Sequence, residues 1–391
     1  MVWSFTSSGF ELIPIKFNQQ QYLTYKIERV MNRIHKIIIM VILVVVLMPA
    51  VVMAGNDDRR GTAGAGELLI NPWARSAGWG NVNTANGSGL DAIFTNVAGL
   101  GHTTGTEVAF NYTHWLNNSD IGLVSFGLAQ SLGAYGVLGL TVNSMSFGTI
   151  EKTTVHSPEV GNNGTYKPSL MNIGVSFARA FSTSIYAGAT LKIVSEGIDN
   201  VNATGIALDA GIQYVTGRDY EIKFGISLKN WGPSMSFSGD GLVINSTYVN
   251  SDHMQSVQQR SLTWDLPSSL NIGGSYDFLF AEKKYRFTLA ANYESMAFTD
   301  DLYTLGGEFS LNNMLMVRGA YTYQKGREDD IYSSDGSRNN FSSGLTLGAS
   351  VNAPLSKPKG DKKGTFISID YAYRMTAILG GIHTVGVSLS L

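Results

Sequence analysis

The stretch YEIKFGISLKNW, Tyr220 to Trp231, alternates. Ile222, Phe224, Ile226 and Leu228 fall on one side, Glu221, Lys223, Ser227 and Lys229 on the other. A period of two is the pattern of a β-strand with one apolar and one polar face. GIALDAGIQYV repeats it, with Ile206, Leu208, Ala210, Ile212 and Tyr214 set against Asp209 and Gln213. Further segments read the same way with less contrast, from TEVAFNYTHW at 106–115 through YRFTLAANYES at 285–295 to TFISIDYAYR at 365–374. Together they make about fourteen strands, an even number, many near the ~10 residues that a tilted membrane strand requires.

Alternation alone suits a soluble sandwich as well as a membrane barrel, but the connections separate the two. Every second connection is short: LG near 132, ST near 182, TGRD near 217, AEKK near 282 and NN at 312, with PLSKPKGDKK from 354 the longest. The intervening set holds 149–167, 232–266 and 325–340. Long loops confined to one face, with short turns on the other, mark an outer-membrane barrel. The expected fold is therefore all-β, a transmembrane β-barrel of about fourteen antiparallel strands located in the cell outer membrane. From His383 the chain alternates to Leu391, and a barrel tolerates no edge in lipid, so this strand is expected to pair with the first.

Composition agrees. Only 15% of the 391 residues are charged and 44 are glycine, against about 25% charged and about 7% glycine in ordinary globular proteins. A net charge of -2 gives no field that would gather nucleic acid. The chain has no cysteine, which removes disulfides and thiolate metal sites. Its six histidines, at 35, 102, 114, 156, 253 and 383, lack a metal-ligand spacing, and no nucleophile elbow, P-loop or dinucleotide fingerprint is present. No catalytic residue, metal or cofactor is expected, and the reading is non-enzymatic.

At the N-terminal side, MNRIHKIIIMVILVVVLMPAVVMAG offers Arg33 and Lys36, then an uncharged apolar run from Ile37 to Val52, then Ala54 before Gly55. This is the pattern of a signal peptide over 31–54, with 1–30 as an upstream extension. Residues 55–104 then form a separate segment ahead of a barrel at 105–391. That segment is glycine-rich yet carries Leu68, Leu69, Ile70, Trp73 and Trp79, which require burial. It either plugs the lumen or packs under the barrel mouth, and GLDAIFTNVAGL suggests one short helix within it.

Candidate binding residues come from the longest loop. Met235, Phe237, Leu242, Ile244, Tyr248 and Trp264 are apolar side chains on 232–266 and are expected to form a partner-docking surface. Asp209, Glu221, Lys223 and Lys229 are expected to line the lumen. Trp231, at a strand end, suits an interfacial aromatic belt. In the acidic loop 325–340, Asp329, Asp330 and Asp335 miss the spacing of a calcium loop.

The stretch ELLINPWARSAGWGNVNTANGSGLDAIFTNVAGL resembles the start of the PorV/PorQ family of outer-membrane proteins, where an AR…G…G run precedes an NPAGL element; Val97 stands where the family has proline. LKNWGPSMSF, LPSSLNIGGSY, GGEFSLNNMLMVRGAYTY and the C-terminal strand extend the match. The wider fold is similar to FadL-type barrels, fourteen-stranded with an N-terminal plug. The resemblance implies a component of type IX secretion whose partners are outer-membrane lipid, a large translocon barrel and secreted substrates with C-terminal β-domain signals. The alternative expectation is a FadL-like transporter of hydrophobic small molecules. The two differ over the lumen, where the charges of 219–231 disfavour a wholly apolar conduit.

Overall fold

The computed structural model describes residues 2–6, 9–13, 59, 61–116, 119–154, 156–159, 163–247, 253–281, 284–324, 342–356, 364–376 and 380–391. Two compact units, Met1–Met53 and Ala54–Leu391, divide the chain. In the first, Val2–Thr6 pairs with Gly9–Ile13 as an antiparallel hairpin. The signal-peptide reading of 31–54 falls outside the described residues.

The second unit is built on fourteen antiparallel strands. They are β1 (Thr106–His114), β2 (Gly122–Ser131), β3 (Val137–Ser146), β4 (Ser169–Ala180), β5 (Ile185–Ile198), β6 (Val201–Thr216) and β7 (Ile222–Trp231). The second half comprises β8 (Ser269–Phe280), β9 (Tyr285–Met296), β10 (Leu302–Leu311), β11 (Leu315–Gln324), β12 (Ser342–Pro354), β13 (Phe366–Thr376) and β14 (Ile382–Ser390). Each pairs with its sequence neighbours, and β14 returns to β1 in a register running from His383↔His114 to Ser390↔Glu107. The sheet is a closed barrel. Closure removes the unpaired backbone edge that hydrocarbon would not tolerate.

Which side faces out follows from polarity. On β7, Phe224, Ile226 and Leu228 are 38–53% exposed, while Ser227 and Lys229 are buried. The barrel is thus apolar outside and polar inside, as lipid demands. The connections 132–136, 181–184, 217–221, 281–284 and 312–314 gather at one end, together with the longer 355–365. The other end carries 147–168, 232–268 and 325–341, and also the two-residue link 199–200. These are called the short-turn and long-loop ends.

One irregularity bends the wall. Between β6 and β7 the register jumps from Leu208↔Trp231 to Ala210↔Leu228, so Asp209 opposes both Lys229 and Asn230. Asn230 adopts φ 56°, which asparagine tolerates better than most residues, and its N–H donates to Asp209 Oδ1 at 2.8 Å.

Residues 61–104 form the plug inside the barrel. Their large side chains meet small ones on the wall: Trp73, Leu90, Ile93, Phe94 and Leu100 pack with Ala109, Ala129, Val137 and Ala178. A Cβ on Gly127 of β2 would lie 2.6 Å from the Trp73 ring, so only glycine admits that indole. The expected single helix over 89–100 is two pieces, an α-turn at Ala92–Thr95 and a 3-10 helix at Val97–His102. Asn96 divides them, because its side chain accepts from Ala98 N–H and starts the second piece.

Candidate functional site

The plug crosses the whole lumen. At the long-loop end Gly64 N–H donates to Asp265 O at 3.0 Å, and Arg59 ion-pairs with Asp265 at 2.7 Å. At the short-turn end Thr106 N–H donates to Leu391 O, where β1 and β14 meet. A segment with so little regular structure leaves many backbone groups unpaired, and in a closed lumen these must bond to side chains. The wall and the plug's own asparagines supply them. Asn111 Oδ1 accepts from Ala74 N–H, Ser227 Oγ donates to Thr95 O at 2.7 Å, and Gln213 Nε2 donates to Thr84 O and Gly87 O. Asn96 Nδ2 donates to Thr84 O at 2.9 Å and to Ile212 O at 3.0 Å, tying plug to β6.

Two cavities lie on either side of this plug. The outer one, about 40 Å³, is walled by Leu68, Trp73, Phe94, Leu123, Met145 and Leu170, with Glu67, Thr141, Asn143, Asn172 and Lys192 as its polar groups. The inner one, about 820 Å³, is lined by Arg75, Asp91, Tyr186, Lys223, Arg286 and Glu308 among others, and reaches Asn313 and Asn352 near the short turns. Between Trp73 and Arg75, and again between Ile93 and Asp91, only two positions of chain separate a residue of one cavity from a residue of the other. The septum is a single layer of plug.

Several charged groups in the lumen are paired. Lys192 Nζ is 2.5 Å from Asp209 Oδ2 and donates to Asn230 Oδ1 at 2.9 Å. Lys223 meets Asp277 at 2.8 Å, and Glu308 receives Arg318 at 3.0 Å and Arg286 at 3.1 Å. Lys229 sits 4.0 Å above the Phe94 ring and 3.9 Å from Glu294. Arg318 Nη1 also donates to Arg75 O at 3.2 Å, so this pair holds the plug as well as itself. Glu67, on the plug at the outer cavity, has its carboxyl pushed up to about 7, first by burial and then by the nearby Glu196 charge.

The residues expected to line the lumen divide. Asp209, Lys223 and Lys229 point inward and are paired as above. Glu221 does not join them: β7 begins at Ile222, and the Glu221 carboxylate turns back to accept from Asp219 N–H at 2.7 Å within the 217–221 turn. The loop set divides as well. Met235 is 2% exposed and packs with Leu68, Ala65 and Leu266, while Phe237 and Trp264 stack at 4.7 Å against the same cluster. These three were expected on a docking surface, but the loop base lies over the mouth, where the plug offers them an apolar seat. Leu242 is half-buried, Ile244 is 46% exposed on a projecting hairpin, and Tyr248 lies outside the described residues, as do Asp329, Asp330 and Asp335. Trp231 is 62% exposed at the long-loop end of β7. Sequence reasoning missed Glu67, Asn143 and Asn172. Strand alternation turns Asn143 inward, but nothing local brings Glu67 to it. Among the described residues no group of three or more His, Cys, Asp or Glu is placed to hold a metal ion.

This geometry is that of an outer-membrane β-barrel, closed by fourteen strands and filled by an N-terminal plug. Its fold is similar to that of the toluene transporter TodX of Pseudomonas putida, with TM-score 0.51 and 10% identity over 82% of this chain and 97% of that one. The toluene transporter TbuX of Ralstonia pickettii follows at TM-score 0.47 and 11% identity, covering 82% of this chain and 97% of its own. A FadL homologue from Pseudomonas aeruginosa gives 0.43 and 12%, over 80% and 96%. At such identities the likeness is one of fold. No family model and no curated protein matches the sequence.

Proposed function

We propose that the protein passes hydrophobic small molecules across the outer membrane. The observation that carries this reading is the thin septum, with an apolar-walled cavity toward the long loops and a wide polar vestibule toward the short turns, parted by one layer of plug. A protein whose lumen served only as a support would have no need of space on both sides of so slight a barrier. The toluene transporter TodX has a similar fold. The test is flux of a neutral aromatic such as toluene into liposomes carrying the protein. Trp73→Ala removes the largest side chain of the septum and is expected to raise that flux several-fold. Equal flux in protein-free liposomes and in both variants would sink the reading.

A second reading, a secretion partner of the PorV/PorQ kind, draws on a different feature. The hairpin of Val243–Thr247 with Met254–Gln258 projects from the long-loop end, with Met254 72% and Val257 44% exposed, and Leu262 beyond it 88% exposed. A pull-down from solubilised outer membranes, with a tag in the 325–340 loop, should recover a very large barrel protein or substrates with C-terminal β-domain signals. Purification of the barrel alone counts against this second reading.

A further inference from the structure

The outer cavity has a chemical preference of its own. Glu67 Oε1, Asn143 Oδ1 and Asn172 Oδ1 are buried acceptors with no hydrogen-bond partner, and all three residues line this one cavity. They come from separate parts of the fold. Asn143 and Asn172 face each other across β3 and β4 on a single rung, and Glu67 arrives on the plug. The Asn172 side chain lies beside the Glu67 carboxyl, and its carbonyl oxygen is left for the cavity. Buried acceptors left unpaired are costly, so three that converge on one space call for a donor.

The remaining walls say what carries that donor. Apart from Thr141, whose hydroxyl donates to Gly174 O, they are hydrocarbon and aromatic, and the cation among them, Lys192, is already held by Asp209 and Asn230. A carboxylate would bring further lone pairs and negative charge to a site that already contains Glu67 with Glu196 close behind it. A pure hydrocarbon would leave every acceptor orphaned. About 40 Å³ holds one water-sized group. We propose that this cavity is the seat of a hydroxyl group, and that the preferred ligands are neutral alcohols or phenols with an apolar body, not fatty acids or plain hydrocarbons. This rests on the transport reading and narrows it.

The test uses the full chain in detergent and three probes of equal body, 4-ethylphenol, ethylbenzene and 4-ethylbenzoate, in equilibrium dialysis. The phenol is expected to bind ~10-fold more tightly than ethylbenzene, and the benzoate most weakly. Asn143→Leu and Asn172→Leu, each of similar volume, are expected to bring phenol and ethylbenzene within about 3-fold of each other. Glu67→Met, which removes both oxygens at similar length, provides a second route to the same loss should a Leu variant not assemble. Equal binding of phenol and ethylbenzene, tightest binding of the benzoate, or a phenol preference that survives all three substitutions would each overturn the inference. Ethylbenzene flux in liposomes, run on the same preparations, separates the two claims. Flux without hydroxyl preference removes only the subsite, whereas absence of both flux and binding removes the transport reading with it.

Discussion

Lys229 shows how one residue serves wall and plug together. Its ammonium lies over Phe94 of the plug, and its neighbour Glu294 also accepts from Ser269 at 2.7 Å. Removing the cation alone leaves Glu294 buried without its counter-charge, whereas replacing both groups by hydrocarbon is often neutral. Lys229→Met is therefore expected to cost about 3 kcal/mol, and the double change Lys229→Met with Glu294→Leu to recover most of that loss. Urea unfolding followed by tryptophan fluorescence reads the difference. Glu67 gives a pH dependence of unusual sign. Its folded-state pKa of about 7 stands above the ordinary 4.5, so the native state holds the proton more tightly than the unfolded chain. The stabilisation is complete below about pH 4.5 and is lost as pH rises toward 7, on the order of 3 kcal/mol. Hydrogen-exchange protection of amides near 65–70 should fall over that window, and Glu67→Gln should flatten the dependence.

The elements differ in how far they could be read in advance. All fourteen strands were legible, because lipid on one side and a polar lumen on the other impose a period of two on every one of them. Ends were less so. Glu221 continues the alternation of β7 by position, yet Tyr220 at φ 57° has already turned the chain, and the side chain satisfies a turn amide. The loop 232–266 was legible as apolar but not as divided, since the seat for Met235 and Trp264 is made by Ala65 and Leu68, far away in sequence. The outer cavity was invisible for the same reason: it needs a strand pair and the plug to coincide. The division predicts two outcomes. Deleting 243–258 should leave barrel assembly intact, as judged by heat-modifiable gel mobility, because every described residue of that hairpin is exposed. Asn96→Ala should loosen the plug, at about 1–3 kcal/mol, because Ala98 N–H loses its cap, Thr84 O keeps only the Gln213 donor and the tie to Ile212 O is gone. Faster exchange at 84–98 with an unchanged wall is the expected signature.

For the whole molecule, the loop asymmetry and the path of the plug fix an orientation that chemistry can read. The natural chain has no cysteine, so single cysteines report without background. Thr62→Cys, at the long-loop end, should react with a membrane-impermeant maleimide on intact cells. Tyr135→Cys, 78% exposed but at the short-turn end, should react only after the outer membrane is opened. The reverse pattern would invert the barrel. The polar lumen fits the same picture, because charges that line the inner cavity also pair across neighbouring strands, and Arg318 reaches the plug.

A ring that shuts on a thread has to be assembled in order. The plug leads directly into β1 at one mouth and emerges at the other, and β14 completes the wall only by finding β1. If the wall closed first, the leading end of the chain would have to climb a lumen already crowded with inward side chains, dragging Trp73 and Phe94 past the small residues made to receive them. Laying the plug down while β1 and β14 are still apart avoids that passage, so the seam between the first and last strands is the door through which the contents are loaded. Premature stapling of that seam should trap an empty barrel, whereas stapling any other neighbouring pair should not.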